Sequence, residues 1–191
     1  MMSPIVPSPF LLLGEPLALD LVNTLARRDG ADVDLLDRSR ALDQWLHAEH
    51  SRVAWRGRVS GHELAAVRDL RDAIDPLLRA SLSHQRGSAV AVRKLNRALA
   101  LPAPEVQLAW NASGPRKPSL GAGAYLATLL RQLAMSALDL LTGPDADRVR
   151  QCAHPSCVLL FLARNPRRRW CSSATCGNRA RVSRHYHKTT A

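Results

Sequence analysis

Apolar residues recur every three or four positions through most of the first 147 residues, a spacing that predicts a mainly helical protein. The most apolar stretch runs from residue 122 to residue 141, and Arg131 and Asp139 are its only charged residues. A helix with so few charges on any side is expected to lie at the centre of the fold. The sequence Thr142-Gly143-Pro144 is expected to end it, since proline cannot continue a helix.

Four shorter helices are predicted before the central one. They run from Gly14 to about Arg28, from Ser39 to Leu46, from Ser60 to Leu78 and from Gly87 to Leu99. Gly30 is expected to end the first of them in a left-handed conformation. Ser60 and Glu63 have the capping-box spacing S-x-x-E, and Pro76 is expected to kink the helix that they begin.

A short strand is predicted between the last two helices. Apolar Val106, Leu108 and Trp110 alternate there with Glu105, Gln107 and Ala109. The alternation ends at Asn111-Ala112-Ser113-Gly114, a sequence typical of a turn. No partner for this strand is evident in the residues that follow.

The distribution of charge divides the chain near residue 147. Residues 148–191 contain ten Lys and Arg residues and no Asp or Glu, whereas residues 1–147 contain 17 basic and 16 acidic residues. The C-terminal segment therefore carries a formal charge of +10, against +1 for the rest. A near-neutral body joined to a strongly basic segment suggests a polyanionic partner, most simply nucleic acid.

The four cysteines of the chain all lie in this basic segment, as Cys152-x4-Cys157 and Cys171-x4-Cys176. Two local thiolate pairs are typical of a tetrahedral zinc site. Two disulfides and unrelated buried thiols are the alternatives. The N-terminus lacks the basic and apolar regions of a secretory signal, and unrelated thiols would be expected to scatter along the chain. Four cysteine ligands leave no position open for water, so a structural rather than a catalytic zinc ion is expected.

The residues around the cysteines predict a compact zinc module. Cys152 and Cys157 flank a tight turn, and residues 158–162 are expected to form a strand. The segment 169–171 is expected to return beside that strand. Ser172 or Ser173 can cap a helix that runs to about His187 and carries Cys176 in its first turn. A knuckle, a hairpin and a helix with the last ligand resemble a treble-clef zinc fold.

Basic side chains of this module are candidates for nucleic-acid contact: Arg167, Arg168, Arg169, Arg179, Arg181, Arg184 and Lys188. Helical spacing places Arg181, Arg184 and Lys188 on one face, where they can act together on phosphates. A solvated face that serves solubility is the alternative. Asn178 and Arg179 can instead pack against the knuckle and hydrogen bond to its carbonyl groups.

Three polar residues, Asp20, Asn23 and Thr24, interrupt the apolar face of the first predicted helix. Buried polar groups must be paired, so these residues either line a small-molecule pocket or bond to neighbouring loops. The sequence has no Ser-His-Asp order, no phosphate-cradling glycine loop and no paired catalytic carboxylates. No catalytic residue is therefore predicted, and an enzyme is not expected.

Two motifs resemble a known protein family. Cys176-Gly177-Asn178-Arg179, preceded by Arg168-Arg169-Trp170-Cys171-Ser172, resembles the CGNR zinc finger. The segment from Leu17 to Thr24 is similar to the opening of the ABATE domain, which usually precedes that finger. The resemblance covers nearly the whole chain. It implies a bacterial transcription regulator, described for some members as stress-induced, with one zinc ion bound by all four cysteines.

Together these features predict a mainly α protein with two parts. Residues 1–147 are expected to form a helical ABATE-like domain with a short β segment, and residues 148–191 a treble-clef-like zinc finger. The predicted function is transcription regulation through DNA contact by the zinc module; the alternative is a zinc-scaffolded protein-interaction or RNA-binding module. No apolar run is long enough for a membrane span, so a cytoplasmic location is expected. A homodimer and a small-molecule effector are compatible with the sequence.

Overall fold

The computed structural model describes residues 10–11, 14–28, 30–53, 55–102, 108–116 and 124–189, with residues 184–189 described by their backbone alone. The α-helices in these ranges are α1 (Leu17–Val22), α2 (Ser39–Ala48), α3 (Gly61–Leu82), α4 (Ala89–Leu99), α5 (Ala124–Thr142) and α6 (Asn178–Thr189). The strands form three antiparallel pairs: β1 (Leu25–Arg28) with β2 (Ala31–Asp34), β3 (Ala109–Asn111) with β4 (Gly114–Arg116), and β5 (Val149–Gln151) with β6 (Leu160–Leu162). The prediction of a mainly α fold is confirmed.

Helix α5 lies at the centre of the core, as its composition predicts. It contacts α1, α3 and α4, and Leu129, Leu133 and Ala137 are fully buried. The helix ends at Thr142, where the Gly143 N–H donates to the Asp139 carbonyl at 2.8 Å. A side chain at Gly143 would collide with that carbonyl oxygen, so the close approach requires glycine.

Helix α3 begins with the predicted capping box. The Ser60 side chain accepts from the His62 N–H, and the Glu63 carboxylate accepts from the Ser60 N–H at 2.8 Å. These bonds satisfy N–H groups that have no partner within a helix. Pro76 lies inside α3, which continues beyond it to Leu82.

The sequence predicts one long first helix from Gly14 to about Arg28, and this prediction is wrong beyond Val22. Helix α1 ends there, and the Thr24 hydroxyl donates to the Leu21 carbonyl at 2.6 Å. The chain then forms the β1–β2 hairpin, with Gly30 at a φ of 84° in its turn. The sequence Asp29-Gly30 is a strong signal for a two-residue hairpin turn, and it outweighs the helical spacing of Leu25.

The strand predicted before α5 is confirmed over Ala109–Asn111 and has a partner that the sequence did not reveal. It pairs with β4, with Trp110 opposite Pro115. Leu108 and Trp110 are exposed, so the alternation does not mark a buried face. Glu105, Val106 and Gln107 lie outside the described residues.

The hairpin predicted for the zinc module pairs differently. Strand β6 pairs with β5, which precedes the first cysteine, rather than with the segment 169–171. Leu160 and Leu162 of β6 join the hydrophobic cluster of α1, α3 and α5, whereas Phe161 between them joins the cysteines. Because side chains alternate along a strand, β6 contributes to both the main core of the body and the smaller cluster around the cysteines. The module therefore packs directly on the helical body.

Candidate metal centre

The first cysteine pair lies on the knuckle between β5 and β6. The Cys152 N–H donates to the Leu159 carbonyl at 2.9 Å, and the Cys157 N–H donates to the His154 carbonyl at 2.9 Å. These bonds fold residues 152–159 into a tight turn that directs both thiols inward, and both residues are buried. The predicted knuckle is thus held by the two strands that flank it.

The second cysteine pair is positioned by a capped turn. The Ser172 hydroxyl accepts from the N–H groups of Ala174 and Thr175, as a helix cap does. The chain then forms one π-helical turn over Ser173–Gly177, which carries Cys176 and leads into α6. A bond from the Ala153 N–H to the Arg169 carbonyl, 2.9 Å long, joins this half to the knuckle.

The four thiols meet in one cluster whose dimensions fit a zinc ion. All four Sγ atoms lie within 4.8 Å of one another, and every cysteine is buried. The Sγ atoms of Cys157 and Cys171 are 3.8 Å apart, and those of Cys171 and Cys176 are 3.6 Å apart. Four Zn–S bonds of about 2.3 Å in a tetrahedron separate the sulfurs by about 3.8 Å. The cysteines form no disulfides.

The thiols of the cluster differ in pKa, because they form hydrogen bonds with one another. The pKa of Cys152 is lowered because Cys157 and Cys171 donate hydrogen bonds to its sulfur. The bond to Cys152, with burial, raises the pKa of Cys157 to about 12, and the contacts with Cys152 and Cys157 raise the pKa of Cys171. A zinc ion must displace these protons, because the thiolate is the ligand form.

The arginines of the module fall into two groups. Arg168 is used within the fold: its guanidinium donates to the carbonyls of Trp170, Leu162 and Cys171, and it pairs with Glu15 at 2.9 Å. It also lies 4.3 Å from the centroid of the Phe161 ring. Although the sequence suggested Arg168 for nucleic-acid contact, its donors are engaged in holding the metal centre together.

A second group of five arginines is exposed: Arg164, Arg167, Arg169, Arg179 and Arg181. Arg148 and Arg150 are exposed as well, but Arg148 pairs with Asp145, and Arg150 donates to the carbonyls of Asp147 and Val149. Within the described part of the chain, none of these five forms an ion pair; Arg148 and Arg168 are the module's arginines that do. Arg169 stacks on Trp170, and the Trp170 ring would be 3.3 Å from a Cβ atom at Gly177. Trp170 thus lies between Arg169 and Gly177, the residue that precedes α6. The side chains of Arg184 and Lys188 lie outside the described residues.

Comparison with protein families accounts for both parts of the chain. The ABATE family, described as "Putative stress-induced transcription regulator", matches residues 15–144. The CGNR zinc finger matches residues 148–189. The chain belongs to the ABATE family and carries a CGNR zinc finger. Neither family is described as an enzyme. A comparison with curated proteins gave no significant match.

The match to the CGNR zinc finger and the cluster of four thiols confirm the prediction of a site for one structural zinc ion. His154 is not part of the cluster; its Nδ1 accepts from the Ser156 N–H at 3.2 Å. Among the helices of the described ranges, none combines the length and apolar character that a membrane crossing requires.

The polar residues of the ABATE motif have partners within the protein. Asn23 bonds to Leu160 of the finger, Thr24 accepts from Arg71 at 3.2 Å, and one carboxylate oxygen of Asp20 accepts from Arg52 at 2.6 Å. A groove of about 390 Å³ lies nearby, but it is lined by other residues: Leu25, Ala26, Asp32, Val33, Asp34, Arg79 and Val158. These contacts favour the interpretation of the three residues as a bonded network.

Sequence reasoning missed the buried charges that bind this network together. Arg71 donates to both carboxylate oxygens of Asp34, at 2.6 and 2.9 Å, and Glu15 is buried beside the finger. Arg71 lies between Leu70 and Ile74 on the apolar face of α3, a position that could have marked it as buried. No comparable pattern surrounds Glu15 or Arg52.

The pH dependence of stability should report on Asp20. Burial is the main cause that raises its pKa to about 6, and Arg52 opposes the shift. The folded protein therefore holds this proton more tightly than the unfolded chain, so the contribution of Asp20 to stability falls as pH rises from about 4 through 6. We expect Asp20→Asn to gain stability relative to the wild type by about 1 kcal/mol between pH 5 and pH 7.5.

Urea unfolding of the zinc-loaded proteins at several pH values measures this difference. Asp37→Asn is the control, because Asp37 is exposed. A stability difference between Asp20→Asn and the wild type that does not change with pH would contradict the raised pKa.

Gly177 of the CGNR motif should tolerate no side chain without cost. A Cβ atom there would lie 3.3 Å from Cδ1 of Trp170 and 3.4 Å from the Ser172 carbonyl oxygen. We expect Gly177→Ala to displace the indole ring and destabilise the zinc-loaded protein by about 1–3 kcal/mol. Gly61→Ala is the control, because open space surrounds that position. Equal unfolding free energies and unchanged tryptophan fluorescence in both variants would refute the close packing.

Proposed function

We propose that this ABATE-family chain binds nucleic acid, with duplex DNA as the preferred form, through the basic surface of its CGNR finger. The observation that carries the proposal is that five exposed arginines of the finger, apart from the carbonyl-bonded Arg150, have no ion-pair partner among the described residues: Arg164, Arg167, Arg169, Arg179 and Arg181. An exposed arginine with no acidic neighbour is free to pair with a phosphate, and each such contact releases counterions from DNA.

The position of these arginines supports a continuous surface. Arg169 precedes Trp170, Arg179 follows Gly177 by two positions, and the Trp170 ring packs beside Gly177. Arg181 follows on the first turns of α6, where its guanidinium reaches the Ser173 carbonyl at 3.4 Å. Even after four thiolates and one zinc ion contribute about −2, the module keeps a strong positive charge.

The proposed interface consists of Arg167, Arg169, Arg179 and Arg181 from the predicted set, with Arg164 added. Arg184 and Lys188 belong to it by helical spacing along α6, whose backbone continues to Thr189. Arg168 is left out, since its donors are used inside the fold. We propose the division that the sequence predicts, with a body over residues 1–147 and a finger over residues 148–191, so that every proposed contact belongs to the finger.

A single small finger makes few contacts, so we propose that useful affinity comes from a homodimer on two half-sites. A small-molecule effector would then act on the body, and transcription in the bacterial cytoplasm would be the process regulated. A paired assembly on DNA would show itself as two protein chains bound to each short duplex.

The experiment is fluorescence anisotropy of a labelled random-sequence duplex at 50 mM salt, with zinc-loaded and chelated protein compared. We expect the zinc-loaded protein to bind the duplex and the chelated protein to bind it at least tenfold more weakly, because zinc holds the arginine-bearing loops in place. RNA and single-stranded DNA of the same length serve as competitors. No binding of any nucleic acid at this salt concentration would overturn the proposal and would favour a finger that docks onto an acidic protein.

A further inference from the structure

The backbone of the zinc finger is held by side chains of the helical body. The Asn23 side-chain amide donates to the Leu160 carbonyl at 2.9 Å, and its oxygen accepts from the Leu160 N–H at 2.9 Å. Asn23 thus occupies both backbone groups of one residue, as a neighbouring strand would. Leu160 lies three residues after Cys157, so the bond fixes the strand that leaves the knuckle.

Glu15 makes a second connection, and it reaches both halves of the metal centre. One carboxylate oxygen accepts from the Leu162 N–H at 2.8 Å, and the other pairs with Arg168 at 2.9 Å. Arg168 in turn donates to the Cys171 carbonyl at 2.6 Å. A single carboxylate thereby links the strand after the first cysteine pair to the backbone of the second pair.

A third body residue, Arg79, contacts both ends of the knuckle. Arg79 of α3 donates to the Val158 carbonyl at 3.1 Å and to the Gln151 side chain at 3.3 Å. Gln151 precedes Cys152 and Val158 follows Cys157, so Arg79 touches the chain at both ends of the turn. Arg79 itself is oriented by Asp75, one turn earlier on the same helix.

These contacts are buried, so their loss is expected to affect the metal centre strongly. Glu15 is 4% exposed and Asn23 is 5% exposed, so neither can exchange its protein partners for bulk water. Charge-assisted and buried hydrogen bonds are stronger than those at a surface. Partners that orient metal ligands from outside the ligand set commonly change metal affinity by about 10–100-fold when removed.

From these contacts we infer that Glu15 and Asn23 are positioning residues of the zinc centre, so that the helical body determines how firmly the finger retains its metal. Zinc binding and the packing of α1 are then thermodynamically coupled. Because such coupling is reciprocal, removal of zinc loosens α1 and the loop before it, and a change in α1 weakens zinc binding. The inference stands apart from nucleic-acid binding.

The test compares zinc retention in the full-length variants Glu15→Gln and Asn23→Ala. Glu15→Gln keeps an acceptor for the Leu162 N–H but loses the charge that pairs with Arg168. Zinc release is followed with a chromophoric chelator, and we expect both variants to release zinc at least tenfold faster than the wild type. Ser60→Ala is the matched control: it removes the cap of α3 and so destabilises the body at a position whose hydrogen bonds, within the described residues, go to His62 and Glu63.

Two further measurements separate positioning from general loss of stability. The absorption spectrum of each Co²⁺-substituted variant should keep the signature of four thiolates, since the ligands are unchanged. Hydrogen exchange of the wild type should accelerate in α1 when zinc is chelated, while exchange within the first turn of α3 stays the same. Zinc release within twofold of the Ser60→Ala control, or unchanged exchange in α1 after chelation, would overturn the inference. Neither measurement contains DNA, so a failure of the proposed function leaves this result intact.

Discussion

Cys171→Ala is expected to abolish tight zinc binding and to destabilise the body as well as the finger. Cys171 is 1% exposed, and its sulfur lies within 4 Å of the sulfurs of Cys157 and Cys176. If four thiolates share the roughly 10–16 kcal/mol of a structural zinc site, loss of one costs about 3–4 kcal/mol, or two to three orders of magnitude in affinity.

The effect on the body follows from the shared strand β6. Leu160 and Leu162 contribute to the core of α1, α3 and α5, so disorder in the finger removes apolar contacts from that core. Zinc competition assays measure the affinity, and circular dichroism with thermal unfolding measures the loss of stability. Ser156→Ala on the exposed part of the knuckle is the control. Wild-type zinc affinity in Cys171→Ala would show that the cluster does not bind the metal.

The second large effect is expected from Arg169→Ala, Arg179→Ala and Arg181→Ala combined in one protein. All three side chains are exposed and lack an ion-pair partner among the described residues. Each phosphate contact contributes about 0.9 to the slope of log Kobs against log salt, so the triple variant should reduce that slope by about 2.7.

A variant with the same loss of charge on the body is the control for this result. Arg40, Arg93 and Arg97 are exposed on α2 and α4, and their combined replacement by alanine removes the same three charges. The control should keep a slope within one unit of the wild type, because its arginines lie outside the finger. Equal losses of slope in both triple variants would mean that net charge, and not the proposed surface, governs binding.

The sequence predicted those elements whose causes are local. The capping box at Ser60, the stop after Thr142 and the capped turn before Cys176 each depend on a few neighbouring residues. The cysteine pairs were informative because thiolates at this spacing have few other uses. The β1–β2 hairpin has a local signal as well, Asp29-Gly30, but the apolar spacing that continues to Leu25 led to the prediction of a helix there.

The remaining features depend on contacts between distant parts of the chain. Asn23 and Leu160 are 137 positions apart, and Glu15 and Leu162 are 147 apart. A polar residue on an apolar helix reveals that it needs a partner, but not which backbone group supplies it. The division of the arginines into bonded Arg168 and exposed neighbours depends in the same way on the packing of Phe161 and Glu15.

The central claim is that the zinc-built arginine surface binds the phosphate backbone, and the salt dependence of DNA binding by the wild-type protein tests it most directly. The seven basic side chains of the proposed interface predict a slope of log Kobs against log salt of about −6 between 50 and 200 mM salt. That result, lost on chelation of zinc, would support the account. A slope shallower than about −1, or binding that persists unchanged without zinc, would contradict it.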